Sequence, residues 1–210
     1  MNKKKRNAEY DRAKSTVKDV VKPDAVLKEF WRDNERFADL FNGALFEGRP
    51  VIRPETLEES DTDLSAVLKL NGHGETLQRI LDVAKRSRDG VDYVLLGLEN
   101  QQQVHYGMPL RIMEGDVLGY RREYQELSRK NRDAGKLKGS GVYLSRFHKE
   151  DRLHPMVTIC VYYGEVPWDG PMCLRDMLKI PPHLEGMVND YRMHLVQVRD
   201  SDGMLFHNQD

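Results

Sequence analysis

VDYVLLGLENQQQVHYGMPLR, residues 91–111, is the stretch whose reading decides the fold. Valine, tyrosine and leucine fill most of residues 91–98, with Gly90 before them and a polar run, residues 99–103, after. A β-rich run of this kind reads as a strand buried on both faces, which places it at the centre of a sheet. Where it ends, Glu99 and Gln101 stand two residues apart, so the pleat sends both side chains to the same side. A carboxylate beside an amide carbonyl is a hard oxygen pair of the kind Mg²⁺ accepts. The same two residues would equally well open a solvated loop.

Downstream, Pro109 suits the first turn of a long helix. Leu110, Met113, Val117, Tyr120, Tyr124 and Leu127 recur at helical spacing and read as the face laid against the sheet. Arg121, Arg122, Arg129 and Lys130 then lead a basic helix end that is either a solvated face or a set of phosphate contacts. Residues 142–155 read as a polar connection anchored by Tyr143, Leu144 and Phe147. VTICVYY, residues 157–163, is a second buried strand ending at Gly164. Trp168-Asp169-Gly170-Pro171 is a turn with an aromatic anchor, followed by a short helix over residues 174–178 and a last strand over residues 195–198.

Upstream, residues 1–23 form a basic tail outside the core, opening with Lys3, Lys4, Lys5 and Arg6, and residues 24–210 read as a single domain. Asp24 can cap a short helix carrying Phe30 and Trp31, and Asp33 is a second capping candidate. Phe37, Leu40, Phe41, Ala44 and Leu45 mark one face of the next helix, with Asp39 and Asn42 off its centre, as flank polarity or facing a site. Gly48-Arg49-Pro50 ends it. Val51 and Ile52 read as the start of a strand that Pro54 interrupts. The acids Glu55, Glu58, Glu59, Asp61 and Asp63 then read as a turn or helix start, any one of which could face Glu99 across a sheet. Residues 64–70 look like a strand ending at Asn71-Gly72-His73-Gly74. Leu77, Ile80, Leu81 and Ala84 suggest a further amphipathic helix that stops near Gly90.

Composition narrows the function classes. Hydrophobic residues at 39% and charged residues at 32%, with mean hydropathy −0.68, describe a polar globular chain with no run near transmembrane length. The basic start lacks the apolar stretch of a secretory signal, so the cytoplasm is the expected compartment and no membrane partner is expected. A net charge of −1 gives no global basic footprint, so any contact with nucleic acid is local. Cys160 and Cys173 are too few for a disulfide framework and read as core residues. The seven histidines form no metal-binding pair, Gly139-Ser140-Gly141 lacks the preceding strand of a nucleophile elbow, and no glycine-rich phosphate loop is present. What survives is an oxygen-ligand site.

Four blocks carry a family likeness: DNERFADLFNGALFEGRPVIRPETLEESDTDLS, GLENQQQVHYGMPLRIM, RLHPMVTICVYYGEVPWDGP and NDYRMHLVQVRDSD. Together, over roughly residues 33–202, they resemble the Rpn (recombination-promoting nuclease) family, a transposase-associated branch of the PD-(D/E)xK nuclease superfamily. The resemblance implies an α/β fold with a restriction-endonuclease-like core, a mixed central sheet flanked by helices. It also implies hydrolysis of DNA phosphodiester bonds dependent on Mg²⁺, or Mn²⁺ in its place. The family's E-x-Q falls on Glu99 and Gln101, and its upstream acid on Asp61 or Asp63, with Asp61 preferred. Asp61 and Glu99 would then hold the metal, Tyr162 to Gly164 would line the neighbouring strand, and Asp39 would be an accessory acid. Arg111 would pair with a flanking phosphate, as would Arg121, Arg122, Arg129 and Lys130. Gln101 stands where the superfamily has a lysine. Glu114 and Gly115 interrupt a helix region that the family fills with larger residues, and a whole helix is expected between Asp61 and Glu99. A homodimer is implied if both DNA strands are cut, and an inactive DNA-binding accessory protein is the alternative function.

Overall fold

The computed structural model describes residues 23–60, 63–70, 73–80, 83–88, 90–98, 104–135 and 139–198. In chain order the elements are α1 (Pro23–Arg32), α2 (Asn34–Phe46), β1 (Leu57–Glu59), β2 (Asp63–Leu70), β3 (His73–Ile80), β4 (Val83–Ser87) and β5 (Asp92–Leu98). They continue with α3 (Met108–Asp133), α4 (Ser140–Ser145), β6 (Met156–Tyr162) and β7 (His194–Gln197). Five strands form one mixed sheet in the order β1-β4-β5-β6-β7, while β2 and β3 pair with each other alone. Within the five, β4 runs antiparallel to both neighbours, and β5, β6 and β7 are parallel. The expected central strand is therefore central, and α3 is the crossover that a parallel β5–β6 pair requires.

Alternation along β6 separates the two faces. Ile159 and Val161, neither exposed, pack with Phe37 and Phe41 of α2 and with Val196 of β7. Cys160, one position out of phase, packs with Met108, Ile112 and Leu118 of α3. Helices thus cover both faces of the sheet. On the first face, α2 begins where Asp33 accepts hydrogen bonds from the backbone N–H groups of Glu35 and Arg36, both at 3.0 Å, which satisfies two orphan donors of the first turn. It ends at Glu47, in the left-handed conformation with φ 55°, and Gly48 N–H returns to Asn42 O. Phe37 and Phe41 stack with centroids 4.6 Å apart. Trp31 of α1 donates its indole N–H to the Tyr163 hydroxyl at 2.7 Å, tying the first helix to the end of β6.

Several sequence expectations are corrected. Residues 77–80 and 83–84, expected to be helical, lie in β3 and β4. Leu70 pairs with His73, leaving Asn71-Gly72 as the whole connection, the dipeptide most favoured in a two-residue hairpin. No helix separates Asp61 from Glu99 among the described residues. The acid-rich stretch after Pro54 is one 3-10 turn followed by β1, an edge strand with Leu57 buried and Glu58 and Glu59 exposed, charges that discourage edge-to-edge pairing. Ile52 starts no strand; its backbone N–H and C=O are taken by the Asn42 side-chain amide at 2.8 and 2.9 Å.

A further correction concerns α3. Leu110 and Val117, expected against the sheet, are 39% and 54% exposed. The buried positions are instead Met108, Pro109, Ile112, Gly115, Asp116, Leu118 and Gly119, with Ser128 and Asn131 further along, a stripe of the same period turned around the helix. It is built largely of small or polar residues, which let the helix axis approach β6 and β2 closely. The interior Gly115 belongs to that contact. Cys160 is a core residue as expected, whereas Cys173 is only half-buried in the β6–β7 connection. Residues 140–145, within the expected polar connection, form α4.

Candidate functional site

Strands β5 and β6 end side by side, Leu98 opposite Tyr162. In an open sheet the crevice beyond the carboxyl ends of parallel strands is where ligands are usually held. The chain leaves β5 into residues 99–103 and re-enters the described structure at Val104, just before α3. From β6 it continues through Tyr163 and Gly164 to Trp168, whose ring meets Tyr162 edge-on with centroids 5.3 Å apart. Backbone N–H of Trp168 donates to Gln197 Oε1 at 2.7 Å, and its indole donates to Gly170 O at 2.9 Å. The two exit segments touch. A Cβ at Gly170 would lie 2.7 Å from Val104 Cγ1, so glycine is what permits the approach. Tyr106 OH donates to Asp169 Oδ1 at 3.2 Å across the same gap. The Asp169 charge pushes the Tyr106 phenol above its ordinary pKa. Arg111 lies in the first turn of α3, half-buried, its N–H on Gly107 O at 3.1 Å.

Of the sequence-predicted residues, Asp61, Glu99 and Gln101 lie outside the described residues. Asp63 opens β2, opposite Ile80, in the hairpin rather than in the main sheet. Asp39 is half-buried on α2, beside a shallow groove lined by Glu35, Asn42, Pro50 and Pro54. Asn42, which could have faced a site, is closed against Ile52. The basic set is not gathered at the strand end. Arg122 stands 3.8 Å from Asp92, at the start of β5, and Asp92 is already held by Arg86 at 2.6 and 2.7 Å. Asp92 and Leu98 are about 20 Å apart at ~3.3 Å per strand residue. Arg121 and Arg122 therefore sit at the opposite edge of the sheet from Leu98, and Arg129 and Lys130 lie further out still.

A second polar centre went unnoticed in the sequence. Asp116, 4% exposed on α3, accepts from Thr158 Oγ1 of β6 at 2.6 Å and from the hydroxyl of Tyr191. Burial pushes its carboxyl above the usual range, against the two hydrogen bonds and nearby His194, which pull it down. Burial and the neighbouring carboxylate also raise the Tyr191 phenol well above its ordinary value. Both Asp116 oxygens are engaged by hydroxyl donors, so this group braces α3 against β6 and the approach to β7. Its only sequence signal was a carboxylate at i+4 from Ile112 and i+8 from Met108, which large-apolar pattern matching passes over.

Among the described residues no group of three or more His, Cys, Asp or Glu is placed to hold a metal ion, and no helix is long and apolar enough to cross a membrane. Compared with known proteins, the chain matches no family model, no curated protein and no solved structure.

Proposed function

We propose that this chain is a metal-dependent DNA endonuclease of the Rpn type, with Glu99 as the strand-end metal ligand. The observation that carries the reading is the topology: a meander of β1, β4 and β5, crossed over by α3 to a parallel β6, with α2 on the other face. A mixed sheet with helices on both faces is the coarse feature that supports this reading. The topology also makes the ends of β1 and β5 point the same way, since both strands oppose β4. Asp61 follows β1 and Glu99 follows β5.

Asp82 immediately precedes Val83 in the sequence, and β4 lies beside β5, so Asp82 joins Asp61 as a proposed upstream acid. A pair of carboxylates suits a hard divalent cation, so Glu99 with Asp82 or Asp61 would hold Mg²⁺. When bound, the ion supplies Lewis-acid polarisation of a phosphate oxygen and a lowered pKa for its water. Arg111, in the first turn of α3, supplies a positive charge for a flanking phosphate. Gln101 is neutral and can orient a water by hydrogen bonding but cannot take its proton near neutral pH.

The test is cleavage of supercoiled plasmid with Mg²⁺, Mn²⁺ or EDTA by wild type, Glu99→Ala, Asp61→Ala and Asp82→Ala, with thermal melts confirming folding. Metal-dependent nicking lost in Glu99→Ala and in one aspartate variant supports the reading and selects the acid. Wild type that is inert with either metal, yet shifts DNA in a gel, replaces it with the inactive DNA-binding accessory protein, the reading that Gln101 in the lysine position favours.

A further inference from the structure

The last turns of α3 overhang the sheet. Tyr120 OH accepts from Met156 N–H at the start of β6, so residues 121–133 extend beyond it, about 1.5 Å per residue. This overhang is braced by residues 145–151. Asn131 Nδ2 donates to Arg146 O at 3.1 Å, Tyr124 OH donates to Ser145 O, and Phe147 stacks on Tyr124 with centroids 5.5 Å apart. The brace carries α4, whose Tyr143 and Leu144 are 68% and 83% exposed, a large apolar pair left in water. Two of the acids around it are engaged, Asp151 accepting from Asn131 and from His148 N–H at 2.8 and 2.7 Å and Asp133 pairing with Arg132 at 2.9 Å, while Glu150 is exposed beside Lys149. Arg129, Lys130, Arg146 and Lys149 are exposed, with no ion-pair partner among the described residues.

Exposed cations flanking a small apolar wedge complement a polyanion whose interior is apolar. Duplex DNA fits: arginine and lysine hold its phosphates, while an inserted leucine or aromatic ring unstacks one base step. An anionic membrane fits less well, because a six-residue helix offers too short an apolar face to lie in an interface. We propose that α4 and the overhanging end of α3 form a docking surface for duplex DNA, with Tyr143 and Leu144 inserting and the four cations gripping the backbone. The surface shares its DNA with the nuclease reading but none of its chemistry, and it lies at the opposite edge of the sheet from Leu98.

Arg146 supplies a clean probe. It is one of two non-glycine residues with positive φ among those described, at 55°, a conformation glycine adopts without strain. The experiment measures binding of a fluorescent duplex to the full chain in EDTA at several salt concentrations. Variants are Arg146→Gly, the double variant Tyr143→Ala/Leu144→Ala, and the distant surface controls Val166→Ala and Arg192→Gln. Expected are about tenfold weaker binding by the double variant with its salt dependence intact, and a salt slope lowered by about one for Arg146→Gly, which melts no lower than wild type. Wild-type affinity in these variants, equal losses in the controls, no duplex binding at low salt, or tighter binding to phosphatidylserine vesicles than to duplex would each overturn the proposal. If plasmid is never cut but these losses appear, the nuclease reading fails alone. If Glu99→Ala abolishes cutting while the variants bind like wild type, the docking surface fails alone.

Discussion

Lys85 and Asp116 are buried charges on opposite faces of one sheet, and each joins elements that hydrophobic packing alone would leave free to slide. Lys85, 1% exposed on β4, donates to Arg32 O at the end of α1 and to Asn34 Oδ1 at the start of α2, and stands over the Phe37 ring. Asp116 instead accepts, from Thr158 and Tyr191. Burial disfavours the charged form of both, lowering the lysine and raising the aspartate. The difference lies in what surrounds them. Lys85 is set among the aromatic rings of α2, where its partners close a helix-to-helix corner. Asp116 is set in a seam of glycine, threonine and tyrosine, where its partners fix the position of one long helix. One face is stabilised mainly by apolar area, and the other is positioned by polar satisfaction.

That contrast is sharpest for Phe41→Ala. Phe41 is fully buried between α2 and β5, with Tyr93 edge-on at 5.3 Å, and its truncation should cost about 3–5 kcal/mol in chemical denaturation. A smaller loss would mean that the α2 face is not the main source of stability. Next is Lys85→Met, which keeps the volume but strands two acceptors, and should cost about 1–3 kcal/mol at neutral pH. Its pH dependence follows from the lowered lysine pKa. Between the folded value and the ordinary 10.5 the unfolded chain holds the proton and the folded chain does not, so wild type gains on the variant as alkaline pH rises.

Asp116→Asn should behave in the opposite sense. The folded state holds its proton more tightly than the unfolded state, so wild-type stability is favoured at acid pH. It is lost as pH rises from the ordinary carboxylate value through the raised one. Melts of both proteins across that interval should show asparagine gaining on aspartate with increasing pH, and parallel curves would remove the buried charge from the account. The smallest effect belongs to Glu47→Gly. Its φ of 55° suits glycine, and the substitution should stabilise the protein by about 0.5–1 kcal/mol, read as a small rise in the denaturation midpoint.

The elements legible in the sequence share a local cause. Asp33 before Phe37, Leu40 and Phe41 carries its own cap and stripe, and the strands within 91–98 and 157–163 announce themselves by composition. The stretch 77–84 misled because Leu77, Ile80, Leu81 and Ala84 satisfy helical spacing, while the strand character of Leu77, Ile80 and Ala84 depends on pairing with Ala66, Asp63 and Val94, which no local window contains. In α3 the helix was legible and its orientation was not: large apolar residues outweighed Gly115, Asp116 and Gly119 in the pattern, although small residues pack closer. Of the candidate site, Glu99 and Gln101 were picked from a strand end and lie outside the described residues, and the adjacency of β4 to β5 was hidden by the helix expected there.

The sequence by itself determined the strands of β5 and β6, the two N-terminal helices and the long crossover helix, because strand composition, the Asp33 cap of α2 and helical period are written within a few residues of each element, whereas Asp24, expected as the cap of α1, lies inside that helix. Only the tertiary structure decided which face of α3 meets the sheet, that residues 73–80 and 83–87 are strands, and that the basic end of α3 stands away from the end of β5. Those outcomes depend on hydrogen bonds and close contacts between residues distant in the chain, and their energies exceed the local preferences they override.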